Sequence, residues 1–170
     1  MADVYSDFIT AKPSNPAARA GNQRVFVDFY RAFTDANSSD GDIVQLAGPL
    51  SYNDRIVAIR PRGAGTPAMT AADDVDLGFY YKDEDGDFVE IDKDIVWDGV
   101  DLSSALTHNE FLFALNSSLS RYKTVGELLS KENDELPFGG VYLCLTFVAS
   151  TSASVTLDLQ IEIDKDNTNQ

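Results

Sequence analysis

The segment from Val75 to Ile91 constrains the fold more than any other part of the chain. Val75, Leu77, Phe79 and Tyr81 alternate with Asp76, Gly78, Tyr80 and Lys82, and a period of two puts one set on each face of a β-strand. Asp85-Gly86 follows, a dipeptide that accepts the positive φ angles of a tight hairpin turn, and Phe88-Val89-Glu90-Ile91 returns as the partner strand. The C-terminal region repeats the period: Val155, Leu157, Leu159, Ile161 and Ile163 alternate with Thr156, Asp158, Gln160 and Glu162. A strand with one apolar face must bury it against a second layer.

Other runs fit the same scheme. Arg24 to Phe33 is rich in β-branched and aromatic residues and predicts a long strand. Asp42 to Leu46 predicts a short strand that ends before a break at Gly48-Pro49, and Asp54 to Arg60 a third, stopped by Pro61 and a Gly63–Pro67 loop. Val141 to Val148 and Ser154 to Ile163 predict the last two. Thr124-Val125-Gly126-Glu127 has the capping-box spacing and predicts one short helix. Asn109 to Leu115 fits either a buried strand or one apolar helix face, since periodicity alone does not separate them. Residues 1–21, with Lys12-Pro13 and Asn15-Pro16 and no regular period, predict an extended N-terminal arm. The expected organisation is therefore an arm over 1–21, a single domain over 22–164 and a frayed polar tail over 165–170. The expected fold class is all-β, a β-sandwich or jelly-roll-like domain with one short helix.

The 170 residues suit one domain with a real core, burying roughly 70% of the unfolded surface. The charge is uneven. Overall there are 13 bases and 28 acids, for −15. Residues 73–101 hold twelve acids against Lys82 and Lys93, a net of −10, whereas residues 1–60 hold six bases and seven acids. Nucleic-acid binders neutralise phosphates with Lys and Arg, so a nucleic-acid partner is not expected. No run approaches the ~20 apolar residues that cross a bilayer. The start, Met1-Ala2-Asp3-Val4-Tyr5, carries no basic and apolar leader pattern. With Cys144 alone in an apolar run, the chain is expected to be made in a reducing cytosol, free of membrane and disulfide.

Tests for chemistry along the chain favour plain structural readings. Asp83-Glu84-Asp85-Gly86-Asp87 places Asp83 and Asp85 at calcium-loop spacing, but Tyr81 stands where the first Asp belongs and Asp92 where the last Glu belongs. A solvated hairpin tip is the expectation. Asp98 and Asp101 beside Trp97 have the residue types of a glycosidase pair. Trp97 is expected in the core or at an interface, with a sugar-stacking role alongside nearby tyrosines as the alternative. His108 is the only histidine, no Gly-x-Ser-x-Gly elbow occurs, and no metal, cofactor or catalytic residue is expected. Arg55, Arg60 and Arg62 form the one locally basic spot, able to meet an acidic partner surface, with Arg19, Arg24 and Arg31 near the arm.

Three stretches resemble a known family. These are the opening Met1-Ala2-Asp3-Val4-Tyr5-Ser6-Asp7-Phe8 with its loose arm, and the pair Gly41-Asp42-Ile43-Val44-Gln45-Leu46 and Asp54-Arg55-Ile56-Val57-Ala58-Ile59. The third comprises Val75 to Tyr81 and Asp98 to Ala105. Over residues 1–105 the chain resembles small virion structural proteins of tailed bacteriophages. The resemblance implies a non-enzymatic capsid decoration (cement) protein, oligomeric and trimeric by preference, on the outer capsid surface with the major capsid protein as partner. It implies partner contacts through Tyr5, Phe8, Ile9 and Arg19 of the arm and through Arg55, Arg60 and Arg62. The alternative is a carbohydrate- or receptor-binding β-sandwich of a virion or tail.

Overall fold

The computed structural model describes residues 8–9, 22–33, 39–62, 74–100, 123–130, 136–137, 139–148 and 155–166. In chain order the strands are β1 (Phe8–Ile9), β2 (Asn22–Phe33), β3 (Ile43–Leu50), β4 (Arg55–Pro61), β5 (Val75–Lys82) and β6 (Phe88–Val100). Helix α1 (Val125–Leu129), β7 (Val141–Phe147) and β8 (Val155–Asp166) follow. They form two four-stranded antiparallel sheets, one ordered β1-β2-β8-β4 and the other β3-β7-β5-β6. The pairs nest: β2 with β8, β3 with β7, β5 with β6. β4 joins the first pair through β8, and β5–β7 joins the second pair to the third. That wrap is a jelly roll, so the all-β sandwich expected from alternation is the fold.

The alternation decides which face goes in. Leu157, Leu159, Ile161 and Ile163 of β8 point into the core with Val27, Phe29 and Phe33 of β2, while Val141, Leu143, Leu145 and Phe147 face them from β7. Each such side chain contributes about 1.5–3 kcal/mol when removed from water. Phe33 meets Phe147 across the sheets at 5.4 Å and 68°, the edge-to-face arrangement that ring quadrupoles favour.

Local signals fix the ends. Thr124 Oγ1 accepts the Glu127 N–H at 3.1 Å and Glu127 Oε2 accepts the Thr124 N–H at 2.7 Å, the expected capping box. The helix N-terminus then sits on the β3–β4 loop: Val125 N–H donates to the Asp54 carbonyl (2.8 Å) and Gly126 N–H to that of Tyr52 (3.0 Å). Any side chain at Gly126 would overlap the Tyr52 ring. At the other end Gly41 N–H donates to the Phe147 carbonyl at 2.8 Å, closing the β3–β7 ladder.

Several boundaries differ from expectation. β3 does not stop at Gly48-Pro49 but continues to Leu50 through two register shifts against β7. The β5–β6 turn spans Asp83–Asp87 and needs a positive φ only at Gly86 (+89°). Asp83 N–H donates to the Asp87 carbonyl at 3.0 Å and Gly86 N–H to the Asp83 carbonyl at 3.1 Å. β6 runs on to Val100, beyond the predicted Ile91. The tail expected to fray from residue 165 is still in β8, since Lys165 and Asp166 oppose Gln23 and Asn22. The Gly63–Pro67 loop and Asn109–Leu115 lie outside the described residues.

Candidate functional site

The polar half of β8 builds the most organised surface. Asp158, Gln160, Glu162 and Asp164 project from the outer face of the β2–β8–β4 layer, because their neighbours fill the core. Register then chooses their companions. From β2, Arg24, Phe26, Asp28 and Tyr30 lie opposite Asp164, Glu162, Gln160 and Asp158. From β4, Arg55, Ala58 and Arg60 lie opposite Asp164, Glu162 and Gln160.

Glu162 is 5% exposed and sits at the centre. Its two oxygens meet Arg24 Nη1 at 2.9 Å and Arg60 Nη2 at 3.0 Å, so a nearly buried carboxylate is held by one guanidinium from each neighbouring strand. Arg24 Nε also donates to Asp164 Oδ1 at 3.0 Å. The hydrogen bond and charge of Asp164 raise the Arg24 pKa above its ordinary value, against a smaller opposing effect of burial. Arg62 Nη1 lies 2.9 Å from Asp28 Oδ2 and its Nε 3.9 Å from Asp158. Gln160 Nε2 donates to the other Asp28 oxygen at 3.1 Å. Four arginines and four carboxylates thus share one face. Tyr30 stands among them, 65% exposed.

The expected basic spot lies on this face. Arg60 meets Glu162 and Arg62 meets Asp28, and Arg55 lies opposite Asp164 in register. The patch presents oriented guanidinium groups, not net positive charge. Of the arm residues, Phe8 and Ile9 form β1 against Val27 and Phe26 of their own chain. Tyr5 and Arg19 lie outside the described residues.

The second sheet has a different outer surface. Every residue of β5 from Val75 to Tyr80 is buried on both faces. The cause is β6: Leu77 opposes Trp97 but Phe79 opposes Asp92, so β6 has three more residues than β5 over that interval. The extra length bulges over Gly78, where a Cβ would overlap the Asp92 carbonyl oxygen. Beneath it, Asp76 (4% exposed) accepts the Gly99 N–H at 3.0 Å and meets Lys93 Nζ at 3.1 Å. The hydrogen bond to Asp76, and then its charge, raise the Lys93 pKa. The Tyr80 hydroxyl shares a hydrogen bond with Thr146 Oγ1, and burial raises its pKa. Lys82 Nζ lies 4.9 Å from the Phe88 ring centre and 5.0 Å from that of Tyr142, a cation held between two aromatic rings.

These details bear on the remaining sequence candidates. Trp97 is 1% exposed, packed in the core, and offers no ring face to a sugar. Asp83 Oδ1 accepts the N–H groups of Asp85 (3.0 Å) and Asp87 (2.9 Å), so the acidic tip uses its first carboxylate to hold its own turn. Among the described residues no three His, Cys, Asp or Glu side chains gather to hold a metal ion. Burial pushes the Cys144 thiol up to about 12, which keeps it protonated near neutral pH. His108 and Asp101 lie outside the described residues. Glu162 and Tyr30 were not singled out from sequence. Strict alternation marks Glu162 as outward, but its two arginine partners are 138 and 102 residues away, and only strand register brings them together.

The outer face of β2, β8 and β4 thus combines paired charges with one exposed aromatic ring. No protein-family model, curated protein or solved structure matches the chain.

Proposed function

We propose that this chain is a non-enzymatic structural protein of a tailed-phage virion, which decorates the outer capsid surface by binding the major capsid protein. The observation that carries the reading is β1: a piece of the N-terminal segment only two residues long is laid antiparallel on β2 by strand pairing. A segment that attaches by main-chain hydrogen bonds is suited to clasping, since backbone pairing supplies affinity and side chains supply selectivity. Tyr5 and Arg19 are the arm residues assigned to the partner, with Phe8 and Ile9 tying the arm to β2 of their own chain, and Arg55, Arg60 and Arg62 are the sheet residues. The resemblance of residues 1–105 to such proteins supports the same reading, as does a jelly roll whose acidic residues are concentrated in one hairpin. A homo-oligomer, by preference a trimer, repeats the contact and multiplies weak single-site affinity.

The test is co-sedimentation with heads assembled from the cognate major capsid protein. The full chain is expected to pellet at a fixed stoichiometry, and a chain lacking residues 1–21 to stay in the supernatant with its β circular dichroism intact. Equal pelleting of the two chains removes the arm from the mechanism. No pelleting of the full chain removes the reading.

A further inference from the structure

The geometry points to the outer face of the β2–β8–β4 layer as the surface that docks on a partner protein, with Tyr30 as anchor and Arg24 and Arg62 as pre-oriented donors. The partner surface it fits is one that presents carboxylate and backbone carbonyl oxygens. The inference rests on the decoration reading for the identity of that partner and goes beyond it in naming the face, the anchor and the chemistry recognised.

Three observations converge. First, charge separates by sheet. Described residues 74–100 carry ten acids against Lys82 and Lys93, a net of −8. The outer face of β2, β4 and β8 with Arg62 carries four bases (Arg24, Arg55, Arg60, Arg62) and four acids (Asp28, Asp158, Glu162, Asp164), a net of zero. An oxygen-rich surface is repelled by the first region and accepted by the second.

Second, the arginines are held in place yet keep donors to spare. A guanidinium has five N–H donors in a fixed fork. Arg24 is bound through Nε and Nη1 and its side chain is still 55% exposed; Arg62 is bound through Nη1 and its side chain is 41% exposed. Their carboxylate partners Glu162, Asp164 and Asp28 fix each fork before any encounter, which lowers the ordering cost on binding. Third, Tyr30 lies in the same register rows, opposite Asp158, and is 65% exposed. Tyr and Arg are the residue types that carry binding energy at interface centres, whereas Asp, Glu and Lys are depleted there. The opposite sheet has the depleted composition, and its own bulge already covers Gly78.

Binding of the full chain to capsid heads is measured for wild type, Tyr30→Ala, Arg62→Ala and the hairpin-tip variant Glu84→Lys. Loss of ten-fold or more is expected for Tyr30→Ala, and of three-fold or more for Arg62→Ala, with Glu84→Lys unchanged. Hydroxyl-radical labelling of the wild type is expected to show Tyr30 protected on heads and reactive in solution, a readout independent of any variant's folding. Wild type that binds with Tyr30 unprotected and Tyr30→Ala unaffected overturns this inference and leaves the decoration reading standing. Wild type that fails to bind heads overturns both.

Discussion

The two outer faces of this sandwich solve the same problem in opposite ways. On the β2–β8–β4 side, an unbroken β2–β8 register and a single shift between β4 and β8 lay arginines beside carboxylates, so charge is cancelled pair by pair and the face stays open to water. On the β5–β6 side the register slips, β6 folds over its neighbour, and the polar groups beneath it are buried with fixed partners. The charge that remains is pushed to the hairpin rim and tip, where acidic side chains discourage edge-to-edge pairing. One face is left available and the other is closed by its own edge strand. The −15 of the whole chain is therefore a property of one hairpin far more than of the fold.

Gly78→Val should break the contrast most severely. Its side chain would meet rigid β6 backbone, and a cost of about 3 kcal/mol or more is expected in urea denaturation. Thr156→Val, at an outward position of β8, is the matched change on the open face and should stay within about 0.5 kcal/mol. Similar costs for the two would mean that the bulge is not a tight cover. Next in size is Glu162→Gln, which keeps the shape but removes the charge shared by Arg24 and Arg60. A loss of about 1–2 kcal/mol is expected, below the usual range for buried charged hydrogen bonds because both arginines are partly exposed. A null result would make the lattice a pattern without energetic weight.

The smallest effect sharpens the closed side. Burial first, and then the hydrogen bond and charge of Asp94, raise the Asp92 pKa in the folded chain. A raised carboxyl pKa means the folded state holds the proton more tightly than the unfolded state. The stability this gives is complete below the unfolded pKa and is lost as pH rises through the folded one. Asp92→Asn should therefore stabilise the protein at pH 7, by less than about 1 kcal/mol given its exposure, and the gain should vanish near pH 3. Melting curves across that range check it; an equal gain at both ends would assign the effect to packing instead of charge.

How much of this was legible in the sequence follows from the range of each interaction. The β5–β6 hairpin, the Thr124–Glu127 capping box and the inward face of β8 depend on residues a few positions apart, and their patterns are visible in the chain. The course of β3 past Gly48-Pro49 was not, because register shifts absorb a residue pair that ordinarily ends a strand. The bulge of β6 was hidden for a related reason: Asp92, Asp94, Ile95 and Val96 break the period of two, and the sequence alone reads that as the end of a strand. The Arg24–Glu162–Arg60 cluster is the clearest case. The three residues look unremarkable singly, and two strand pairings are needed before they share a face. Burial of Trp97 was legible as one of two outcomes, and packing chose between them.

The three Asp-Gly dipeptides bear on how the protein ages. Such sequences degrade when the glycine nitrogen attacks the preceding aspartate side chain, closing a succinimide ring that reopens as isoaspartate. In each case here that nitrogen is already committed: Gly41 N–H to Phe147, Gly86 N–H to Asp83, and Gly99 N–H to the Asp76 carboxylate. Cyclisation requires the backbone to leave those bonds first. The hydrogen bonds that shape the turns and ladder thus also slow chemical decay, and isoaspartate should accumulate at the rate of a free peptide scaled down by the fraction of time each turn is open.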